Sequence, residues 1–184
     1  MSEDILIDQC SPTMAGIKTG SLFSCSADDK KTLNDNIRRF NARLVPKGLR
    51  LIPMKFENNR ALVYMYRPSK LAKDLKNPTA HEILSNLKYS SSGADGFVAQ
   101  LRKKINVCTD FPHEIGLFLG YPPEDVDGFI KKGPHGAKLT GTWKVYTDEE
   151  SAKKKFALYK KCAGVYKSAY KKHNSFDRLI VREH

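Results

Sequence analysis

Residues 49–67 read LRLIPMKFENNRALVYMYR, and the predicted fold follows from this stretch. The segment Glu57-Asn58-Asn59-Arg60 separates two apolar runs. Because asparagine tolerates the left-handed backbone of a tight two-residue turn, the stretch predicts a β-hairpin. Pro53 has no N–H to give to a neighbouring strand, which predicts an edge position for the first strand. The second strand, ALVYMY, is apolar on both faces, which predicts a central one.

Further elements are predicted on both sides of this hairpin. Upstream, Ser11 and Pro12 predict the start of a short helix, and residues 21–26 predict a strand. The segment Ala27-Asp28-Asp29 predicts the cap of a helix that ends near Leu44. Downstream, three helices are predicted at 68–75, 79–87 and 93–105 and two more within 111–132, followed by the strand GTWKVY at 141–146. Thr147 and Glu150 have the spacing of a capping box for a long final helix.

This order of elements predicts an α+β fold. The β-α-β-β-α-β sequence is typical of the ferredoxin-like core, in which the strand order 4-1-3-2 places the second strand at an edge and the third inside. We therefore predict a single α+β domain over residues 1–184 with a ferredoxin-like core. A helical insertion at about 68–132 would separate the third and fourth strands, and a lysine-rich C-terminal helix would cover about 147–173.

Composition favours a folded chain in the cytoplasm. Hydrophobic residues make up 40% of the 184 and charged residues 28%, and no apolar run approaches the roughly 18 residues of a membrane span. Residues 1–9 carry acidic side chains and no basic segment, so we expect no secretory signal. The four cysteines are far apart and form no Cys-x-x-Cys motif, which favours buried reduced thiols over a metal site.

Positive charge is concentrated near the C-terminus. The formal net charge is +12, and residues 131–172 hold twelve lysines, three acids and no arginine. Such a surface attracts nucleic acid or acidic proteins, although base recognition favours arginine, and a merely solvated helix face is the alternative. The candidate contact residues are Lys153, Lys154, Lys160, Lys161, Lys167 and Lys171.

Residues 111–130, FPHEIGLFLGYPPEDVDGFI, predict where a functional site lies. His113 and Glu114 are predicted in the first turn of a helix, whose dipole favours an acid and a neutral imidazole fit to bind a metal or polarise a carbonyl. Alternatively, Glu114 only complements the dipole and His113 is a surface residue. Position 117 is leucine, which excludes His-Glu-x-x-His. Asp125 is interpreted as helix-start chemistry rather than as a metal ligand.

Three further residues complete the predicted site. Arg67 follows the second hairpin strand, where a guanidinium holds a carboxylate or phosphate. Trp143, the sole tryptophan, is either a core residue or a surface on which a ligand stacks. Tyr121 begins the Tyr-Pro-Pro turn and offers a second aromatic surface.

Four blocks of the sequence resemble an uncharacterised bacterial family, a domain of unknown function common in anaerobic Gram-positive bacteria. The blocks are CSPTMAGIKTGSLFSC (10–25), ALVYMYRPSKLAKDL (61–75), the 111–130 segment, and GTWKVY followed by YKKCAGVY. The resemblance implies genes near flavodoxin-like genes under iron control, and hence iron, haem or electron-transfer physiology. It brings no catalytic residues. Relatives often have cysteines just before GxWKVY, whereas residues 137–140 here have none.

Three functional hypotheses follow. The first is a cytoplasmic binding protein for a planar or anionic cofactor, with haem or flavin as candidates, whose site comprises His113, Glu114, Tyr121, Arg67 and Trp143. The second is a module that binds nucleic acid or an acidic protein, such as a flavodoxin-like one, through the lysines of the last helix. The third is an enzyme with His113 and Glu114 as acid and base. Adjacent helical residues point about 100° apart, which argues against a shared role.

Overall fold

A computed structural model describes residues 1–91 and 93–182. The chain divides into two compact units, Met1–Ser69 with Tyr159–His184 and Lys70–Leu158. The α+β class is confirmed, because helices are combined with small antiparallel sheets. That the 184 residues fold as one domain stays a prediction.

The first unit is built around a three-stranded antiparallel sheet. Its elements are α1 (Glu3–Met14), β1 (Gly20–Ser26), α2 (Lys30–Leu44), β2 (Arg50–Glu57) and β3 (Arg60–Tyr66). The strand order is β1-β3-β2, so β3 is central and β2 lies at an edge, as the hairpin sequence predicts. Asn58 and Asn59 both have positive φ in the turn between them. A shift in register between Pro53 and Lys55 marks the edge strand.

The helix α1 differs from its prediction. It begins at Glu3 rather than Ser11, and Pro12 lies inside it. The Ser11 hydroxyl does not cap the helix but donates back to the carbonyl of Ile7. A proline inside a helix costs about 3 kcal/mol. Because a helical stripe that includes Leu6, Cys10 and Met14 is fully buried, we attribute the longer helix to the burial of that stripe.

Arg43 connects distant parts of the first unit. Its guanidinium lies 3.0 Å from Asp177 and 2.6 Å from Glu3, which belong to the C-terminal segment and to α1. The hydrogen bond from Arg43 lowers the pKa of the Asp177 carboxyl. Phe176 packs edge-on against Phe40 at 5.7 Å, so the C-terminal segment is held by both charge and packing.

The second unit consists mainly of helices. It holds α3 (Pro68–Asp74, from Lys70), α4 (Pro78–Asn86), α5 (Ala94–Val107), α6 (Ile115–Phe118) and α7 (Pro123–Lys132). A two-stranded sheet follows, β4 (Leu139–Thr140) with β5 (Lys144–Val145). The long helix α8 (Glu149–His173) contributes its first turns to this unit and its remainder, from Tyr159, to the first. All the helices predicted between 68 and 132 are present, with shifted ends.

The ferredoxin-like topology is not confirmed. The sheet of the first unit has the 1-3-2 part of that order, but residues 141–146 do not add a fourth strand to it in the described part of the chain. Only Lys144 and Val145 are extended, and they pair with β4. The next two backbone N–H groups, of Tyr146 and Thr147, donate to the carboxylate of Asp125 instead of to a strand. The carboxylate therefore binds two N–H groups that a longer strand would use to pair with a neighbouring strand.

None of the helices in residues 1–91 and 93–182 combines the length and the apolar character that crossing a membrane requires.

Candidate functional site

An aromatic hollow of about 200 Å³ lies within the second unit, and three of the predicted site residues border it. They are His113, Tyr121 and Trp143. The ring centroids of Tyr121 and Trp143 are 5.0 Å apart with 27° between the planes, so the two rings stack. The His113 ring meets Phe129 edge-on at 4.8 Å. The complete lining is His113, Ile115, Gly116, Tyr121, Asp125, Val126, Phe129, Trp143 and Lys144.

The helix α6 ends in a Schellman motif that fixes the position of Tyr121. Gly120 has φ of +76°, and its N–H bonds to the Leu117 carbonyl at 3.2 Å. The Tyr121 N–H reaches back to the Gly116 carbonyl at 3.0 Å, which completes the motif. Gly120 therefore ends this helix. Pro123 then begins α7, which supplies Val126 and Phe129 to the hollow.

Gly116 allows α6 and α7 to approach closely. A Cβ atom at this position would lie 2.7 Å from Cγ2 of Val126 and 3.2 Å from the Tyr121 ring. Both distances are shorter than ordinary van der Waals contact. A side chain at position 116 would therefore displace two walls of the aromatic hollow.

Asp125 is the buried polar centre behind the hollow, and sequence analysis assigned it only to the start of a helix. It is 2% exposed. Its Oδ2 accepts from the Trp143 indole N–H at 2.8 Å. Its Oδ1 accepts from the backbone N–H groups of Tyr146 and Thr147 and from the Thr147 hydroxyl, at 2.8 to 3.0 Å. These four donors offset the cost of burying the carboxylate. The sequence signal that places Asp125 near the hollow is its position four residues before Phe129, on the same face of one helix.

The contacts of Thr147 correct the predicted capping box. Its hydroxyl is engaged with Asp125, so Asp148 caps α8 instead and accepts the Ser151 N–H at 3.0 Å. Trp143 is 7% exposed, and its indole N–H is already bonded. Its contribution to the hollow is therefore ring surface, backed by Phe156, which meets it edge-on at 4.5 Å.

His113 and Glu114 have different partners. Both residues precede α6, which has only four residues, so the predicted placement in the first turn of a helix is wrong. His113 is exposed beside Phe129, whereas Glu114 is 4% exposed and accepts from the Tyr89 hydroxyl and from Lys104 Nζ, each at 2.9 Å. The two also border a second, open hollow of about 670 Å³.

Glu114, Tyr89 and Lys104 form a buried polar cluster. Lys104 Nζ lies 4.3 Å from the centroid of the Tyr89 ring and also donates to the Leu87 carbonyl. Burial, followed by the Glu114 charge, raises the pKa of the Tyr89 hydroxyl. The cluster joins α5 to the segment before α6. Sequence spacing did not reveal it, since Tyr89 and Glu114 are 25 positions apart.

Arg67 belongs to the first unit, and its guanidinium is bonded to backbone carbonyls. It is 1% exposed, and its Nε and Nη2 atoms donate to Thr13, Met14 and Val181 at 2.7 to 2.8 Å. These contacts fasten α1 and the C-terminal segment to the end of β3. The anion clamp predicted at Arg67 stays a prediction.

A lysine hollow of about 520 Å³ lies next to the aromatic hollow in the second unit. Tyr121 borders both. Its charged lining consists of Lys73 and Lys76, Lys155 from α8, and Asp74. Asn77 also borders it and caps α4, because its side-chain oxygen accepts the Thr79 and Ala80 N–H groups at 2.9 and 3.3 Å.

The lysines predicted as a contact surface are all exposed: Lys153, Lys154, Lys160, Lys161, Lys167 and Lys171. Lys153 pairs with Glu150 at 2.9 Å and Lys167 with Asp8 at 3.0 Å. Surface pairs of this kind contribute about 0–1 kcal/mol. They lower the positive charge that these two positions offer to a partner.

The prediction of buried cysteines holds for two of the four. Cys10 and Cys25 are at most 4% exposed, whereas Cys162 is half-buried and Cys108 is exposed. All four are free thiols. Among the described residues, no three or more His, Cys, Asp or Glu side chains are grouped to hold a metal ion.

One family model matches this chain over residues 6–180, and its description is "Protein of unknown function (DUF3793)". Neither the curated proteins nor the solved structures contain a match.

Proposed function

The chain belongs to the DUF3793 family of proteins of unknown function, and we propose that it binds a small molecule with a flat ring in the aromatic hollow of its second unit. The observation that carries this proposal is the convergence of four rings, those of His113, Tyr121, Phe129 and Trp143, on one half-open, largely apolar space. Ligand sites are typically apolar cavities with a few polar groups that fix orientation. His113 and Lys144 are those groups here.

The size of the hollow limits the ligand. Sites for drug-sized ligands usually measure about 300–1,000 Å³, and this one measures about 200 Å³. One ring or two fused rings therefore fit better than a porphyrin. Of the two cofactors considered from the sequence, flavin, whose ring system has three fused rings, exceeds this space less than haem does.

The roles of the lining residues follow from their contacts. Tyr121, Phe129 and Trp143 supply ring surface, which gives about 0.5–1.5 kcal/mol per aromatic pair beyond buried area. His113 supplies a hydrogen bond at the mouth, because it is the exposed member of the set. Glu114 supports the wall through Tyr89 and Lys104 rather than touching the ligand. The link to iron, haem or flavodoxin physiology and the cytoplasmic location stay predictions.

The test uses Trp143 as its reporter, since it is the only tryptophan and borders the hollow. The purified protein is titrated with riboflavin, with protohaem and with the neutral bicyclic probe 2-(naphthalen-1-yl)ethanol, while dialysis measures binding and tryptophan emission measures proximity. We expect saturable binding of a flat ring with a change in Trp143 emission. Absence of saturable binding by all three compounds would overturn the proposal.

Variants separate the hollow from the rest of the surface. Phe129→Ala removes one wall and should weaken ring binding about tenfold, in line with the loss of one buried aromatic contact. His113→Ala should weaken it less. His81→Ala is the matched control, because His81 is an exposed histidine on α4 and does not border the hollow. Equal affinities in the His113 and His81 variants would remove His113 from the site.

A second candidate function is binding of nucleic acid or of an acidic protein by the lysines of α8. The exposure of Lys154, Lys160, Lys161 and Lys171 favours it. This function predicts an affinity for duplex DNA or for an acidic protein that falls steeply as the salt concentration rises. A reversal of charge at Lys160 and Lys161 should abolish such binding, whereas affinity that is insensitive to salt would end this candidate.

A further inference from the structure

We infer that the ligand of the aromatic hollow carries a phosphate group on a short chain, and that this phosphate lies in the adjoining lysine hollow. This inference rests on the proposed function and adds a second subsite to it. Its basis is Tyr121, which borders both the space of about 200 Å³ and the space of about 520 Å³. Because the two spaces share this lining residue, the proposed ligand passes Tyr121, with its ring on one side and its phosphate on the other.

The two spaces have different chemistry. The aromatic hollow has mainly ring and aliphatic walls, and its one carboxylate, Asp125, is buried with four hydrogen-bond donors already directed at it. An anion placed there would be poorly solvated. An uncharged ring is the suitable occupant of this space, because the only lysine among its described lining residues, Lys144, already contacts the Thr140 hydroxyl at 3.4 Å. The larger positive charge lies in the lysine hollow.

The lysine hollow has the charge that a phosphate needs. Lys73 at the end of α3, Lys76 in the following turn and Lys155 on α8 come to this space from separate elements. With Asp74 counted against them, the formal charge of the lining is three minus one, or +2. A phosphate monoester carries about −1.5 to −2 near pH 7, so the charges are nearly balanced. Each ammonium also has three N–H donors for the phosphate oxygens.

The neighbouring helix start is not the anion site. The first N–H groups of α4 that could point at a ligand, those of Thr79 and Ala80, are already bonded to the side chain of Asn77. Anion recognition in this space is therefore assigned to the lysine side chains, and it should depend on ionic strength.

A matched pair of probes tests the second subsite. 2-(Naphthalen-1-yl)ethyl phosphate and 2-(naphthalen-1-yl)ethanol have the same ring and chain and differ only in the phosphate. At low salt, we expect the phosphate to bind at least about tenfold more tightly, as two or more partly screened charge contacts would give. This difference should shrink in about 0.5 M NaCl, where the Debye length is a few ångströms.

The double variant Lys73→Ala/Lys76→Ala should abolish the difference between the two probes and leave the affinity for the alcohol unchanged. The matched control is Arg102→Ala/Lys103→Ala, which removes two exposed positive charges from α5 and should preserve the difference. Circular dichroism checks that all variants are folded.

The outcomes distinguish the two proposals. If the alcohol binds and the phosphate binds no more tightly, the phosphate subsite is wrong while the aromatic site stands. If the phosphate still binds more tightly than the alcohol in Lys73→Ala/Lys76→Ala, the lysine hollow is excluded as the phosphate subsite. If the alcohol does not bind and Phe129→Ala has no effect on either probe, the proposed function itself fails.

Discussion

The indole nitrogen of Trp143 donates a hydrogen bond of 2.8 Å to the buried carboxylate of Asp125, eighteen positions earlier in the chain. The same carboxylate accepts the N–H groups of Tyr146 and Thr147. One side chain of α7 therefore holds both the aromatic wall of the proposed site and the end of β5.

Replacement of Asp125 should destabilise the second unit. In Asp125→Ala, three N–H groups lose their acceptor, two of them buried, those of the Trp143 indole and the Tyr146 backbone. Unsatisfied buried donors cost about 1–3 kcal/mol each before relaxation. We expect a loss of about 3 kcal/mol or more in the free energy of unfolding, measured by urea denaturation. Because Trp143 loses its partner, its emission in the folded protein should also shift.

The exposed neighbour Glu124 provides the control for Asp125. Glu124→Ala lies on the same helix and removes the same charge, yet Glu124 is exposed. Its loss from the first turn of a helix should cost no more than about 1 kcal/mol. A similar cost for both variants would contradict the role assigned to Asp125.

Glu114→Gln should destabilise the chain because it leaves Lys104 half-buried without its anionic partner. The Lys104 side chain is 30% exposed and that of Glu114 6%, so the pair is only partly screened by water. We expect a loss of about 2 kcal/mol. A double-mutant cycle that combines Glu114→Gln with Tyr89→Phe, measured by urea denaturation, should reveal coupling between the two substitutions. The reason is that Tyr89 and Lys104 bond to the same oxygen of Glu114. Additive effects would argue against a connected cluster.

Gly116→Ala should destabilise the protein by about 1–3 kcal/mol, as overpacking usually does, and weaken ring binding. The added methyl group would lie 2.7 Å from Val126. Gly164→Ala is the matched control, because a methyl group at that position inside α8 would have, among the described residues, no atom within 4 Å beyond its own stretch of helix. That variant should stabilise the helix by up to about 1 kcal/mol. Thermal denaturation compares the two, and a stabilised Gly116→Ala would contradict the packing role.

Lys18 should give the first unit a pH-dependent stability. Burial lowers the pKa of its ammonium to about 8, against an ordinary value of 10.5, while the neighbouring Cys10 opposes that shift. Between these two pH values the unfolded chain binds more protons than the folded one, so this contribution to stability rises with pH. Below about pH 8 both states are protonated, and the penalty for the buried charge is complete.

The measurement for Lys18 compares the wild type with Lys18→Met. The stability of the wild type relative to the variant should increase from about pH 7.5 to about pH 10. Burial raises the pKa of Cys10 and brings that of Tyr166 to about 12, which lowers stability at alkaline pH. Both proteins contain these groups, so subtraction largely removes their effect. A pH-independent difference would show that the Lys18 pKa is ordinary.

Unfolding should test whether the two units form one domain, as the sequence predicts. Trp143 reports on the second unit alone, whereas far-ultraviolet circular dichroism reports on helices of both. We expect the two transitions to coincide in urea, as they do for a two-state domain. Separate midpoints would indicate two domains.

Local sequence signals were sufficient for the elements that form from near neighbours. Asn58 and Asn59 fix the hairpin turn, and Pro53 and the apolar strand 61–66 fix the order β3 inside and β2 outside. The cap of α2 is Asp29, the last residue of the predicted capping segment 27–29. Each of these signals acts within a few residues of the chain. Of the five residues predicted as one site, His113, Tyr121 and Trp143 border the aromatic hollow, whereas Glu114 and Arg67 do not.

Long-range packing, by contrast, settled which donors and acceptors meet. Asp125 has the sequence context of an ordinary helix start, yet its carboxylate accepts from residues 18 to 22 positions away. The segment that it holds was predicted as the fourth strand of the main sheet, and in the described residues it is not part of that sheet. Glu114 is likewise joined to Tyr89 across 25 positions. A buried carboxylate is paired with whichever donors tertiary packing brings close to it. The pattern of neighbouring residues in the sequence does not indicate which distant donors those are.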